Sequence, residues 1–203
     1  MKMKKNILNI NKIGLKRLLE KLELKPFVAN QLFDWIYKKN VLDFDSMSNI
    51  SQTNKDILKE NLVVNPFIGH EKIVSRDKLA IKYVFTLLDN ERVEAVVLKE
   101  RGYYSLCVSS QAGCKLKCKY CLTGINGYKR DLTQAEIIGQ LLIALQDGYN
   151  ITHVVFMGMG EPLLNISNVL KAIDTINNEE ALNISKRKVI VSTSGILEGI
   201  RFL

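Results

Sequence analysis

Between Ser105 and Val191 the chain alternates strand, helix, strand, helix, strand, and this alternation restricts its fold more than any other feature. Ser105 to Ser109 reads as a strand. A helix starts at Thr133, where Thr133 and Glu136 have capping-box spacing, and runs through Ile137, Ile138, Leu141, Leu142 and Leu145. His153 to Met157 is the next strand and ends in Gly-Met-Gly-Glu-Pro. Residues 166 to 177 read as a helix and Lys188 to Val191 as a third strand. Parallel strands need a long crossover, usually a helix. The pattern therefore predicts an α/β fold of parallel βαβ units, with sites at the carboxyl ends of the strands. Three strands neither close a barrel nor cover both faces of a parallel sheet. The sequence stops at Gly199–Leu203, inside what should be the next helix, so the expectation is the amino-terminal half of a partial (β/α) barrel.

Upstream the periodicity differs. Residues 12 to 23 carry a rough apolar stripe (Ile13, Leu15, Leu18, Leu19, Leu22), and Val28, Leu32, Trp35 and Ile36 place a second helix at 27 to 39. A third helix is expected at 53 to 62. Residues 71 to 75, 80 to 88 and 92 to 98 read as strands, the last two joined by an Asp89-Asn90 turn. The division predicted is a small α+β accessory domain at 1–100, with RNA binding as its expected role, and a core of three β/α units at 101–203. No internal repeat or low-complexity segment is present.

Hydrophobic residues make up 47% of the chain and charged residues 25%, which suits a packed, ordered domain. The formal charge of +8 favours a polyanionic partner, nucleic acid first, although surface lysines alone could account for it. No stretch is long and apolar enough to cross a membrane. Asn and Lys interrupt the apolar runs at the start, so a signal-peptide core is missing and the reading is a cytoplasmic protein. In a reducing compartment four cysteines suggest metal ligands or redox groups. His70 and His153 are too few and too far apart to favour a histidine zinc site.

Cys114, Cys118 and Cys121 form a C-x3-C-x2-C loop directly after a strand. Iron–sulfur clusters are held by cysteine thiolates, and a loop lets three of them converge. Lys115, Lys117 and Lys119 lie between them, and positive charge favours thiolate over thiol. A four-cysteine zinc site would have to recruit Cys107, without the paired C-x2-C knuckles structural zinc usually uses. A plain ferredoxin would need a fourth cysteine in the run.

The C-x3-C-x2-C loop, with Tyr120 before its last cysteine, is the signature of the radical S-adenosylmethionine (SAM) superfamily. Four further segments, Leu106–Cys114, Arg130–Gln140, Met157–Asn165 and Ser185–Gly195, together resemble the RlmN/Cfr family of adenine methyltransferases. Gln31–Lys39 and Phe44–Asn49 resemble the amino-terminal domain of its C2-methylating branch. The likeness runs from about residue 27 to the end. It implies a radical SAM partial (β/α) barrel with a [4Fe–4S] cluster on Cys114, Cys118 and Cys121. It implies SAM contacts at Gly160, Glu161 and Ser192, a proton acceptor at Glu94, and at Cys107 a thiol that resolves a covalent enzyme–RNA intermediate by forming a disulfide. Read without the resemblance, Glu94 is a solvent-facing strand residue, Cys107 a small buried hydrophobe, and Gly160-Glu161 and Ser192 ordinary turn residues.

The resemblance also implies the reaction: methylation of C2 of adenine in 23S rRNA and tRNA by a monomer that draws electrons from a flavodoxin or ferredoxin. The family's methylated cysteine, the partner thiol for Cys107, lies beyond the residues present here. The 203-residue chain by itself is therefore expected to be inactive. Ser75–Lys82 also departs from the family's usual Asp-Gly-Thr hairpin turn. The competing readings are a radical SAM enzyme on another substrate, and an RNA-binding remnant using Lys115, Lys117, Lys119, Lys129, Arg130 and Lys186–Lys188 for phosphates.

Overall fold

The computed structural model describes residues 4–202. The short strand β1 (Lys5–Asn6) leads into helices α1 (Lys12–Lys21) and α2 (Phe27–Phe33), and α2 continues as a π-turn over Asp34–Lys38. The single helix expected at 27 to 39 thus changes hydrogen-bond pattern part-way. Helix α3 (Gln52–Asn61) is capped by Ser51, and β2 (Leu62–Val63) pairs in parallel with β1. Leu15, Leu19, Val28, Leu32, Ile36 and Leu58 turn their apolar stripes into a shared core.

Strands β3 (Phe67–Val74), β4 (Ala80–Leu87) and β5 (Arg92–Lys99) form an antiparallel meander. Asn90 takes φ 67° in the turn read at Asp89-Asn90. The Ser75–Leu79 turn places Lys78 at φ 57° and is closed by Asp77, which accepts from the Leu79 N–H and the Ser75 hydroxyl. Strand β5 pairs antiparallel with β6 (Tyr104–Cys107), and hydrogen bonding continues without a break across residue 100. After β6 come β7 (Gln111–Gly113), α4 (Leu122–Ile125), β8 (Tyr128–Asp131), α5 (Gln134–Gln146), β9 (Ile151–Phe156), α6 (Ile166–Asn177), β10 (Val189–Val191) and α7 (Leu197–Ile200).

The six-stranded sheet has the order β10-β9-β6-β5-β4-β3, with β6, β9 and β10 parallel. This is the expected α/β fold, a parallel sheet of βαβ units, here extended by antiparallel strands. Alternation gives the sheet two different faces. Val93, Ala95, Val97, Leu106, Val154 and Phe156 are buried on one. Glu94, Val96, Cys107, Val155 and Ile190 lie on the other, which is half-buried to exposed. Helix α5 begins with the capping box read at Thr133 and Glu136. It is buried along its length from Gln134 to Ala144, because the amino-terminal segment also packs on it: the Ala135 N–H donates to Asn9 Oδ1 at 2.7 Å.

Candidate metal and cofactor site

The parallel register Leu106↔Val154 and Cys107↔Val155 brings the carboxyl ends of β6 and β9 to the same edge of the sheet. The segment from Ser110 to Asp131, whose sequence reads as a cysteine- and lysine-rich loop, begins and ends in a short two-stranded ladder. Strands β7 and β8 pair antiparallel, Gln111 opposite Asp131 and Ala112 opposite Arg130, and hold the cysteine loop at their closed end. Strands this short show no readable alternation. Inside the loop the Cys114 N–H donates to the Gly127 carbonyl at 3.0 Å, Cys118 to Leu116 at 2.9 Å, and Cys121 to Cys118 at 3.1 Å.

Cys114, Cys118 and Cys121 line one cavity of about 130 Å³, together with Gly158, Gly160 and Glu161 from the end of β9 and Ser194 from the end of β10. Their surroundings differ. Burial raises the Cys114 thiol above its ordinary value, against the Leu116 N–H, and the neighbouring thiols and Glu161 push the same way. At Cys121 the Gly124 N–H, followed by the Thr123 N–H and hydroxyl, outweighs burial and lowers the thiol. Cys121 is also the residue from which α4 starts.

Among the described residues no group of three His, Cys, Asp or Glu side chains converges on a single ion. Zinc would need its ligands about 2.3 Å from one centre, and Cys107 does not line the cavity. A cubane asks for a different set, one thiolate for each of three irons. Three cysteines on the wall of one cavity, with a carboxylate and glycine backbone beside them, fit that donor chemistry.

The glycines allow close packing here. A Cβ on Gly158 would lie 2.7 Å from the Val108 carbonyl. Gly160 has φ +99°, and a Cβ there would stand 2.5 Å from the Gln111 side chain. The Ser110 and Gln111 N–H groups both donate to the Met159 carbonyl, and the Met159 N–H donates to Ser109 Oγ. Glu161 is buried and caps the short turn Pro162–Asn165. Its Oε1 accepts from the Leu163 N–H at 3.0 Å and the Thr193 hydroxyl at 2.7 Å, and its Oε2 from the Ser194 N–H at 2.8 Å. A carboxylate offers about four acceptor positions, so one on Oε2 stays open.

The other expected site residues stand outside this cavity. Cys107 ends β6, half-buried, with its thiol raised by burial against the Met157 N–H. Glu94 occupies the same sheet face: Cys107 is opposite Val96, two residues along from Glu94. Diagonal neighbours of this kind stand roughly 7–8 Å apart. The Glu94 carboxylate pairs with Lys82 Nζ at 3.1 Å. Ser192 follows β10, its N–H directed to the Phe156 carbonyl at 3.3 Å. Arg130, read as a phosphate contact, is already committed: Glu136 holds it through two bonds of 2.8 and 2.9 Å, and Asp89 pairs with it as well.

The residues that build the site were less legible. Gln140 is fully buried and brackets Ser109, accepting from its N–H at 2.8 Å and donating to its carbonyl at 3.0 Å. Asn165 donates to the carbonyls of Ser110 and Leu132 at 2.7 Å each. Both are polar residues within apolar surroundings, the one signal that could have marked them. A larger cavity of about 330 Å³ lies between the amino-terminal segment and α5–α6, but no cysteine lines it.

Known proteins resemble this chain in sequence and fold. Residues 5–64 match the family model for the ribosomal RNA large subunit methyltransferase N-terminal domain, and residues 108–201 the model for the radical SAM superfamily. Over these two segments the chain is similar to the RlmN group of the radical SAM superfamily. It is 44% identical over 200 residues to the probable dual-specificity RNA methyltransferase RlmN of Clostridium novyi, covering 98% of this chain and 58% of that protein. The corresponding Aquifex aeolicus protein is 43% identical over 189 residues, 92% of this chain and 54% of its own. The crystal structure of a radical SAM methyltransferase from Sphaerobacter thermophilus superposes with a TM-score of 0.92 at 29% identity, over 97% of this chain and 59% of that one. The chain therefore spans somewhat more than half the length of the relatives it matches. No helix among the described residues is long and apolar enough to cross a membrane.

Proposed function

We propose that this chain is the cluster- and SAM-binding part of a methyltransferase acting on C2 of adenine in 23S rRNA and tRNA. The observation that carries the proposal is the convergence of Cys114, Cys118 and Cys121 with Gly160 and Glu161 on one cavity at the carboxyl edge of the parallel strands. Cys114, Cys118 and Cys121 would hold a [4Fe–4S] cluster, which supplies the electron for reductive cleavage of SAM. Gly160, which lines the cavity, would lie beside the methionine part of SAM. The open acceptor position on Glu161 receives its ammonium group. Ser192 contributes a polar group from the end of β10.

On the open sheet face, Glu94 takes the proton released from the adenine and Cys107 resolves the enzyme–RNA link. Their closeness on one sheet face supports those roles. Exposed lysines of the cysteine loop and the amino-terminal helices serve the RNA backbone. A small acidic electron carrier of the flavodoxin or ferredoxin type, a monomeric state and a cytoplasmic setting complete the proposal.

Two measurements test it. Anaerobic loading with iron and sulfide gives a brown protein with about 4 Fe per chain, the cubane stoichiometry, and Cys→Ala at position 114, 118 or 121 abolishes it. Mass spectrometry of rRNA and tRNA from cells lacking the gene shows 2-methyladenosine missing. An unchanged level of 2-methyladenosine in those cells overturns the assignment.

A further inference from the structure

Gln111 is fully buried on β7, three residues before Cys114, and both ends of its carboxamide are occupied. Oε1 accepts the Glu161 N–H at 2.9 Å, and Nε2 donates to Asp131 Oδ1 at 2.7 Å. Asp131 also accepts from the Tyr128 hydroxyl at 3.0 Å, and the Lys115 ammonium sits 4.5 Å from the centre of the Tyr128 ring. The side chain of Gln111 fills the space a Cβ of Gly160 would need. One chain of contacts thus runs from the Gly160-Glu161 turn through Gln111 and Asp131 to the residue beside Cys114.

We infer that Gln111 is a positioning residue that sets the Gly160-Glu161 turn against the cysteine loop. It thereby fixes where the methionine part of SAM sits relative to the cluster. The inference rests on the cofactor reading given above. Two features single Gln111 out. The Glu161 N–H belongs to a buried turn, and its acceptor in the structure is Gln111 Oε1. The oxygen and the amide of a glutamine are distinct, so the bond to Asp131 orients the carboxamide and aims Oε1 at Glu161. A purely packing residue at this place would be apolar.

The test uses Gln111→Leu and Gln111→Glu in the reconstituted 203-residue protein. Iron content, SAM binding by anaerobic calorimetry, and the electron paramagnetic resonance spectrum of the reduced cluster with and without SAM are recorded. Gln111→Leu keeps its iron but binds SAM about tenfold more weakly, the size of effect expected when a buried N–H loses its acceptor. Its reduced spectrum loses the change that SAM produces in the wild type. Gln111→Glu sets a carboxylate against Asp131, with Glu161, Tyr128 and Arg130 the other ionisable groups around it. Two facing carboxylates share a proton more readily as pH falls. Relative to wild type, SAM binding by this variant recovers as the pH is lowered, whereas that of Gln111→Leu does not. A response to SAM retained by both variants, at every pH, overturns the role of Gln111 alone. No response in the wild type overturns the cofactor reading and this inference together. Should the leucine variant fail to fold, the pH profile of the glutamate variant decides.

Discussion

Glu161 and Ser194 lie at the ends of two different strands, and the Ser194 N–H donates to Glu161 Oε2 at 2.8 Å. With the Thr193 hydroxyl on Oε1, this carboxylate ties the turn after β9 to the loop after β10. The residue expected to meet the cofactor therefore also organises the protein around it.

Glu161→Gln should separate those duties. Glutamine keeps the shape but presents an NH2 group where one carboxylate oxygen accepted a bond. Either Ser194 or the pair Leu163 and Thr193 then loses its acceptor. The expected loss of stability is about 1–3 kcal/mol, measured by urea unfolding, with faster amide exchange at residues 193–195. Unchanged exchange in that loop would show that the tie carries no weight.

The cysteines should react in a fixed order. Backbone N–H groups of α4 lower the Cys121 thiol, whereas burial raises those of Cys114 and Cys107. Since the thiolate is the nucleophile, brief alkylation at neutral pH should label Cys121 before Cys114 and Cys107 in mass-spectrometric peptide maps. After anaerobic loading with iron and sulfide, Cys114, Cys118 and Cys121 should be protected while Cys107 still reacts. Labelling of Cys114 ahead of Cys121, or no protection after loading, contradicts the site as described.

How the sequence discloses such a site depends on the length of its signals. Helix α6 was placed at residues 166 to 177, and α5 was located by its capping box, because each spans several turns and repeats its apolar positions. The tight hairpin from β5 to β6, closed by the Glu100 N–H on the Tyr103 carbonyl with Gly102 at φ 89°, is hidden by the change of sequence pattern near residue 100, which reads as a domain boundary. Strands β7 and β8 leave no trace in the sequence, because three or four residues carry no period. The three cysteines are conspicuous by spacing alone, whereas Gln140 and Asn165 carry only the faint signal of polar residues in apolar runs and Gln111 carries none. Their importance lies in buried hydrogen bonds to backbone and side-chain groups 20 to 55 residues away.

Gly124 tests how tightly the cysteine loop is folded. A Cβ there would lie 2.7 Å from the Leu116 carbonyl and 3.1 Å from the Cys118 N, both backbone atoms that cannot step aside cheaply. Gly124→Ala should displace the strand of loop carrying Cys118 and lower the iron bound after anaerobic loading to well under half that of wild type. Gly69→Ala, with no atom within 4 Å of the added carbon, is the control and should load normally. Equal iron content in the two variants contradicts the packing.

Asp147, at the end of α5, governs stability in acid. Its Oδ2 accepts the Tyr83 hydroxyl at 2.6 Å and the Lys72 ammonium at 3.0 Å, joining α5 to β3 and β4. Burial opposes its ionisation, but the Tyr83 hydroxyl and Lys72 together outweigh burial and hold its carboxyl below the ordinary value. The unfolded chain binds the proton more readily than the folded one. The carboxylate's contribution is therefore complete above the unfolded value, about 3.9 for an aspartate, and is lost as pH falls through the lower folded value. Asp147→Asn removes it at every pH. At pH 7 the variant should be less stable by about 1–3 kcal/mol, since a charged acceptor is taken from two donors. The gap to wild type should begin to close as pH drops below about 4, where the unfolded chain starts to take up the proton, and should vanish only below the lower folded value. Urea unfolding across pH 3 to 7 measures both stabilities. A gap that stays constant over that range would mean that the charge on Asp147 contributes nothing and that only the shape of its side chain matters.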